Sequence, residues 1–254
     1  MFNLSGKVAV VTGGGSGIGR ATAKLFAKQG AKCHILDLSA EQGAHVVGEI
    51  AAEGGVAISH AVDVSNQAAI NEVIASIGKI DILVNNAGVA HVGKADTTSE
   101  EDFDRVFRIN VKGVYNCLHA IIPVMSQNGG GVILNLSSIG AVVGIADRFA
   151  YSMSKGAVQA MTLSVARDYL AENIRCNCIC PARVHTPFVD GFIAKNYPGQ
   201  EKEIFEKLSK SQPIGRMGTV DEIATLILYL CADESSFITG CDYHIDGGFI
   251  KLNN

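Results

Sequence analysis

Val8-Ala9-Val10-Val11-Thr12-Gly13-Gly14-Gly15-Ser16-Gly17-Ile18-Gly19 reads as a buried strand running straight into a glycine-rich turn. The glycines let backbone come close to a bulky anion. A helix opens near Gly17 and runs to about Gln29, where Gly30 supplies the stop. Its N-terminus offers unpaired N–H groups and the positive end of the helix dipole, the natural seat of a pyrophosphate, so Gly13, Ser16, Gly17, Ile18 and Gly19 are candidate nucleotide contacts. A glycine turn alone is weak evidence. Here strand, turn, helix and the second strand Cys33 to Leu36 follow one another within about 30 residues, and Asp37 closes that strand, which is the confirming context.

The same alternation continues along the chain. Short β-branched runs at Val56 to Val62, Ile80 to Val84, Val132 to Leu136, Ile174 to Ile179 and Asp242 to Ile245 are separated by helical patterns. Strands alternating with helices predict α/β architecture, a doubly wound parallel sheet covered on both faces. No charge run, proline-rich linker or repeat interrupts it, so residues 1–254 read as a single dinucleotide-binding and catalytic domain. Residues 187–212, broken by Gly191, Pro198 and Gly199, read as a mobile substrate lid.

Composition narrows the partners. Apolar residues make up 48% and charged residues 18%, which suits a compact globule and not a disordered chain. A formal net charge of −4 lacks the basic field that nucleic acid requires. The longest apolar stretches fall short of the ~20 residues of a membrane span, and Met1 to Lys7 shows no secretory pattern, so the expectation is a cytoplasmic protein with no membrane partner. Among seven cysteines, Cys176, Cys178 and Cys180 recur at period two on one strand face. That spacing suits no common zinc motif, nearby His185 included, and reads as reduced core packing; no metal is expected.

Strand ends carry the remaining nucleotide candidates, because ligands of open α/β sheets lie outside the carboxyl ends of the strands. Asp37 can accept from the adenosine ribose hydroxyls, and its charge repels a 2′-phosphate; Leu38 follows where an arginine would offer a counter-charge. NAD is therefore favoured over NADP, although Arg20 is within reach of a phosphate and Asp37 can equally be a turn residue. Asp63-Val64 ends the third strand, with Asp63 able to bond the adenine amino group. Asn85-Asn86-Ala87-Gly88 ends the fourth, small enough for backbone to run beside a ligand; ordinary strand-end turns would look similar.

Tyr151-Ser152-Met153-Ser154-Lys155 places a phenol and an ammonium one helical turn apart. A tyrosine hydroxyl with a pKa near ~10 is a poor base at neutral pH unless a positive charge favours phenolate. Lys155 can supply it. Ser138 ends the run that begins at Val132 and can meet the same substrate oxygen; by itself the Tyr151–Lys155 spacing also fits a plain helix surface.

Taken in order, the glycine turn, Asn85 to Gly88, Asn110, Ser138 and Tyr151 to Lys155 resemble the short-chain dehydrogenase/reductase family over essentially the whole chain. The resemblance implies a Rossmann sheet of seven parallel strands, a nicotinamide cofactor and a homotetramer, with the helical segments Ser99 to Met125 and Tyr151 to Leu170 at one interface. It further implies that Tyr151 is the general acid/base and that Lys155 lowers its pKa and holds the nicotinamide ribose. Ser138 would orient the substrate oxygen, Asn110 would position a water in a proton relay, and Pro181, Val184 and Thr186 would bracket the nicotinamide. One departure stands out: Ala182 replaces the family's glycine after Pro181, adding a methyl where backbone freedom is usual.

Arg148, three residues before Tyr151, is placed to bind a carboxylate two or three carbons from the reacting centre, the alternative being a surface ion pair. The chain here resembles hydroxybutyrate dehydrogenases of the family, and the run Arg175 to Pro181 resembles the cytosolic type 2 enzymes and the 2-keto-3-deoxy-L-fuconate dehydrogenases. His91, Arg183 and His185 are further substrate candidates, the histidines equally plausible as loop polarity. The sequence thus predicts NAD-dependent hydride transfer on a hydroxy acid or keto-deoxy sugar acid. A 3-oxoacyl thioester reductase, a neutral sugar dehydrogenase and a non-catalytic dinucleotide sensor are the alternatives.

Overall fold

Seven short runs rich in Val, Ile and Leu become seven strands of one parallel sheet in the computed structural model. It describes residues 1–252, with Phe188, Lys195 and Asn196 described by backbone alone; the end of the expected domain and those three lid side chains lie outside the described residues. The elements are β1 (Val8–Thr12), α1 (Gly17–Lys28), β2 (Lys32–Asp37), α2 (Ala40–Ala52), β3 (Val56–Ala61), α3 (Gln67–Ile77), β4 (Ile82–Asn85), α4 (Glu100–Phe107) and α5 (Gly113–Gln127). After these come β5 (Gly131–Leu136), α6 (Phe149–Asp168), β6 (Ile174–Pro181), α7 (Pro187–Asn196), α8 (Glu201–Lys210), α9 (Val220–Cys231), β7 (Asp242–Ile245) and α10 (Phe249–Leu252). No helix among the described residues is long and apolar enough to cross a membrane.

Strand order is β3-β2-β1-β4-β5-β6-β7, so the winding direction reverses between β1 and β4. A crevice must open there, at the carboxyl ends of the strands. Alternation along each strand divides the core in two. Ala9, Val11, Cys33, Ile35 and Ile179 pack with Phe26 of α1 and Ile227 of α9 on one face. Val10, Leu36, Leu83, Ile133 and Cys176 pack with Ile74, Ile121 and Val158 on the other. The inner strands β1, β2 and β4 are buried on both faces, whereas the edge strands β3 and β7 alternate toward solvent.

The glycine turn is held by a clamp. The Asn86 amide donates to the carbonyls of Thr12 (2.9 Å) and Gly13 (3.1 Å), while the Thr12 hydroxyl accepts from the N–H groups of Asn86 and Ala87 at 3.0 Å each. Gly13 adopts φ 61°, and a methyl on Gly19 would fall 2.2 Å from the Gly13 carbonyl oxygen. Gly19→Ala is therefore expected to destabilise the fold by about 1–3 kcal/mol through overpacking and to weaken dinucleotide binding. Urea unfolding and cofactor titration check this; an unchanged midpoint with unchanged affinity contradicts it.

Candidate active site

A cleft of about 560 Å³ lies at the reversal between β1 and β4, lined by the glycine turn, the ends of β2 to β6, and helices α6 to α8. At one end stand Gly13, Ser16, Gly17, Ile18, Asp37, Leu38, Asp63, Val64, Asn86, Ala87 and Gly88, as the sequence places them. Ser16 makes no side-chain cap on α1, and no acidic residue occupies that helix's first turn, so its N–H groups face the cleft uncontested. Gly19 is buried behind the turn and works there by its small size rather than by lining the cleft.

Asp37 accepts from the N–H of Gly15 (2.9 Å) and of Ser39 (3.0 Å), which fixes its carboxylate beside the turn where a ribose would rest. Arg20, the residue able to attract a 2′-phosphate, is instead forked onto Glu49, with Nε 2.7 Å from Oε2. The free helix N-terminus, the glycine cradle and Asp37 together fit a dinucleotide.

The other end holds Ser138, Tyr151, Lys155, Pro181, Val184 and Thr186. Ser138 lies two residues beyond β5 in extended backbone and caps the short turn that follows, its hydroxyl accepting from Gly140 N–H at 3.1 Å. Helix α6 brings Tyr151 and Lys155 onto the cleft side, with Lys155 Nζ 5.8 Å from the Tyr151 ring centre and donating to the Leu136 carbonyl at 2.7 Å. Burial pushes the Tyr151 phenol up, opposed by a hydrogen bond with Ser138 and by the positive charge of Arg148. Burial likewise pushes the Lys155 ammonium down to about 8. Lys155 Nζ, held on the Leu136 carbonyl, also stands close enough to the phenol for its positive charge to favour phenolate.

Asn110 sits in one wide turn, Arg108–Lys112, that joins α4 to α5; the sequence shows one unbroken helical segment there and gives no sign of the turn. Its Nδ2 donates to the Val89 carbonyl (2.8 Å) and the Ser154 hydroxyl (3.0 Å), and its Oδ1 accepts from Val89 N–H (2.8 Å). Asn110 thus ties the loop after β4 to α6 and does not itself line the cleft. A methyl on Gly88 would lie 3.2 Å from that Oδ1 and 3.6 Å from Lys155 Nζ, which explains the small residue there.

The substrate candidates separate. Arg148 and Arg183 both line the cleft; Arg148 lies over the Phe192 ring at 5.5 Å, and Arg183 Nε donates to the Ser211 hydroxyl at 3.0 Å. Burial lowers the Arg183 pKa, and the like charge of Arg148 lowers it further. His91 and His185 are not brought into the cleft: His91 Nδ1 is 3.6 Å from Asp102, and His185 bonds Asp190 at 3.0 Å on the exterior. Segment 187–212 forms α7 and α8, and Pro187, Val189, Phe192 and Leu208 close over the cleft. Phe192, Met217 and Phe249 were not singled out from sequence, because apolar residues on amphipathic pieces carry no signal of which cavity they will face.

Ala182 is not among the residues of positive φ, so its methyl meets no backbone conflict.

The family model described as enoyl-(acyl carrier protein) reductase matches residues 13–250. The chain belongs to the short-chain dehydrogenase/reductase family. It is 41% identical to an uncharacterized oxidoreductase of Thermotoga maritima, with 97% of this chain and 98% of that one covered. It is 37% identical to the 2-keto-3-deoxy-L-fuconate dehydrogenase of Xanthomonas campestris, covering 97% and 81%. Among solved structures, the L-sorbose reductase of Gluconobacter frateurii, complexed with NADPH and L-sorbose, superposes with a TM-score of 0.94 at 29% identity and 99% coverage of both chains. This family member is accordingly an oxidoreductase of alcohol and ketone groups with a nicotinamide cofactor.

Burial of Lys155 sets a pH dependence. Its folded pKa of about 8 lies below the ordinary 10.5, so below pH 8 the fold carries a buried charge that the unfolded chain does not. Between those values the unfolded chain binds the extra proton, and stability rises with pH. The unfolding free energy of the cofactor-free protein minus that of Lys155→Met should therefore rise by about 2 to 3 kcal/mol from pH 7.5 to 10. A flat difference contradicts the burial argument.

Proposed function

We propose that the protein is an NAD-dependent dehydrogenase or reductase of a small carboxylate-bearing substrate, a keto-deoxy sugar acid or a hydroxy acid. What carries the reading is the charge inside the cleft. Arg148 and Arg183 face its reacting end with no carboxylate ion-paired to either among the described residues, while the acidic lining residues, Asp37 and Asp63, lie at the nucleotide end. Two adjacent guanidiniums repel each other, and an anion between them relieves that repulsion while accepting forked hydrogen bonds. The likeness to a 2-keto-3-deoxy-L-fuconate dehydrogenase is consistent with such an anion.

The cofactor, when bound, supplies or accepts the hydride. Tyr151 supplies or removes the hydroxyl proton, with Ser138 donating to the substrate oxygen from beside it. Lys155 in its charged form balances a phenolate at Tyr151 and is placed to hold a ribose hydroxyl. Asn110 acts through Val89 and Ser154, holding the loop after β4 against α6; a relay water would be held by the second lone pair of its Oδ1. Asp37 and the forked Arg20–Glu49 pair favour an unphosphorylated ribose, hence NAD. Closure of 187–212 over the substrate would exclude water, with Phe192 seating Arg148. The family's tetramer would bury the exposed Phe107, Tyr115, Phe149 and Leu163 on α4 to α6.

A turnover screen with NAD and NADP over hydroxy acids, sugar acids, neutral ketoses and 3-oxoacyl thioesters tests the reading. Acids with NAD should give the highest kcat/KM. Arg148→Met should lower kcat/KM on the acid by about 10- to 100-fold, the worth of a charged hydrogen bond, and leave a neutral ketone within about threefold. Equal loss on both removes the carboxylate.

A further inference from the structure

The face of the sheet that the sequence assigns to core cysteines does not stay apolar at its edge. In the β6–β7 ladder Cys178 pairs with Asp242 and Cys180 with His244, so residues two apart on each strand project from the same face. Cys180, Asp242 and His244 bring a sulfur, a carboxylate oxygen and an imidazole nitrogen all within 4.8 Å of one another. His244 Nε2 already lies 3.5 Å from Asp242 Oδ2. Ligands around a tetrahedral zinc-class ion stand roughly 3.5 Å apart, given bonds of ~2.3 Å to sulfur and ~2.1 Å to nitrogen or oxygen. Small side-chain adjustments close the rest.

We propose that Cys180, Asp242 and His244 form a site for a borderline-soft divalent ion of the zinc class at the edge of the sheet, outside the lining of the catalytic cleft. Three protein ligands of these types leave a fourth position for water. The outer support is in place: Gln159 of α6 donates from Nε2 to Asp242 Oδ2 at 2.8 Å and to Cys180 Sγ at 3.8 Å, fixing both ligands' orientation. Asp242 and His244 lie on an exposed edge strand, which gives the ion a path in, while Cys180 is wholly buried and gives it an anchor. Binding would release the Cys180 thiol proton to solvent and form one sulfur–metal bond, with no change of oxidation state; thiolate plus carboxylate then neutralise the ion's charge.

The test uses tag-free, full-length protein stripped with EDTA and titrated with Co2+ alone, followed by Zn2+ displacement. One equivalent of Co2+ should bind with a thiolate-to-cobalt charge-transfer band, and Zn2+ should abolish the band. Cys180→Ser should remove it. Because Cys180 is buried, the partly exposed ligands provide a second arm: His244→Ala and Asp242→Asn should each weaken Co2+ binding at least about tenfold, while the melting temperature of the stripped protein stays near that of the parent. Absence of the band, a band that survives Cys180→Ser, or unchanged affinity in both His244→Ala and Asp242→Asn overturns the proposal.

Discussion

A buried ammonium has to find an oxygen, and at Lys155 the oxygen is the Leu136 carbonyl, 2.7 Å away at the end of β5. That bond joins α6 to the sheet at the point where β5 gives way to Ser137 and Ser138. Ser137 answers it by donating to the Lys155 carbonyl at 3.0 Å, so strand end and helix are stitched in both directions. Deeper in the same layer, Asn85 donates to Asn135 and Asn135 to Thr162, both at 2.9 Å, carrying the connection from β4 through β5 to α6. These buried polar groups are costly unless paired, so each fixes its neighbour's position.

The nucleotide end rests on a different constraint, the space that glycines leave. Asn86 clamps Thr12 and Gly13, and the turn then exposes the first N–H groups of α1. Asp37 holds Gly15 from the far side. The glycine cradle and the stitched helix α6 therefore meet at the reversal between β1 and β4, and α7 and α8 line the open side.

Much of this was legible in the sequence because it rests on local signals. Short β-branched runs alternating with helical patterns located all seven strands to within about two residues, and the glycine turn, Asp37 and the Tyr151–Lys155 spacing marked the cleft. What was not legible depends on register between distant segments. Asn86 looks like a ligand-side turn residue, yet its amide serves the backbone of β1. Asn110 carries no hint that a wide turn holds it, and His91 and His185 resemble Arg183 in sequence position while only the arginine enters the cleft. Cys180 has the spacing of a core residue; its polar surroundings appear only when β7 docks in register beside β6. Arg148 is close to Tyr151 in sequence, but its contact with the Phe192 ring of α7 appears only in the fold.

The central claim is that Tyr151 moves the proton while the rest of the cleft binds. Its most direct measurement is single-turnover kinetics of Tyr151→Phe beside a titration of the same variant with NAD. The account predicts a turnover rate lower by about 10²- to 10⁴-fold and an NAD affinity within about threefold of the parent. Near-parental turnover in Tyr151→Phe, with the fold and NAD binding intact, would contradict it.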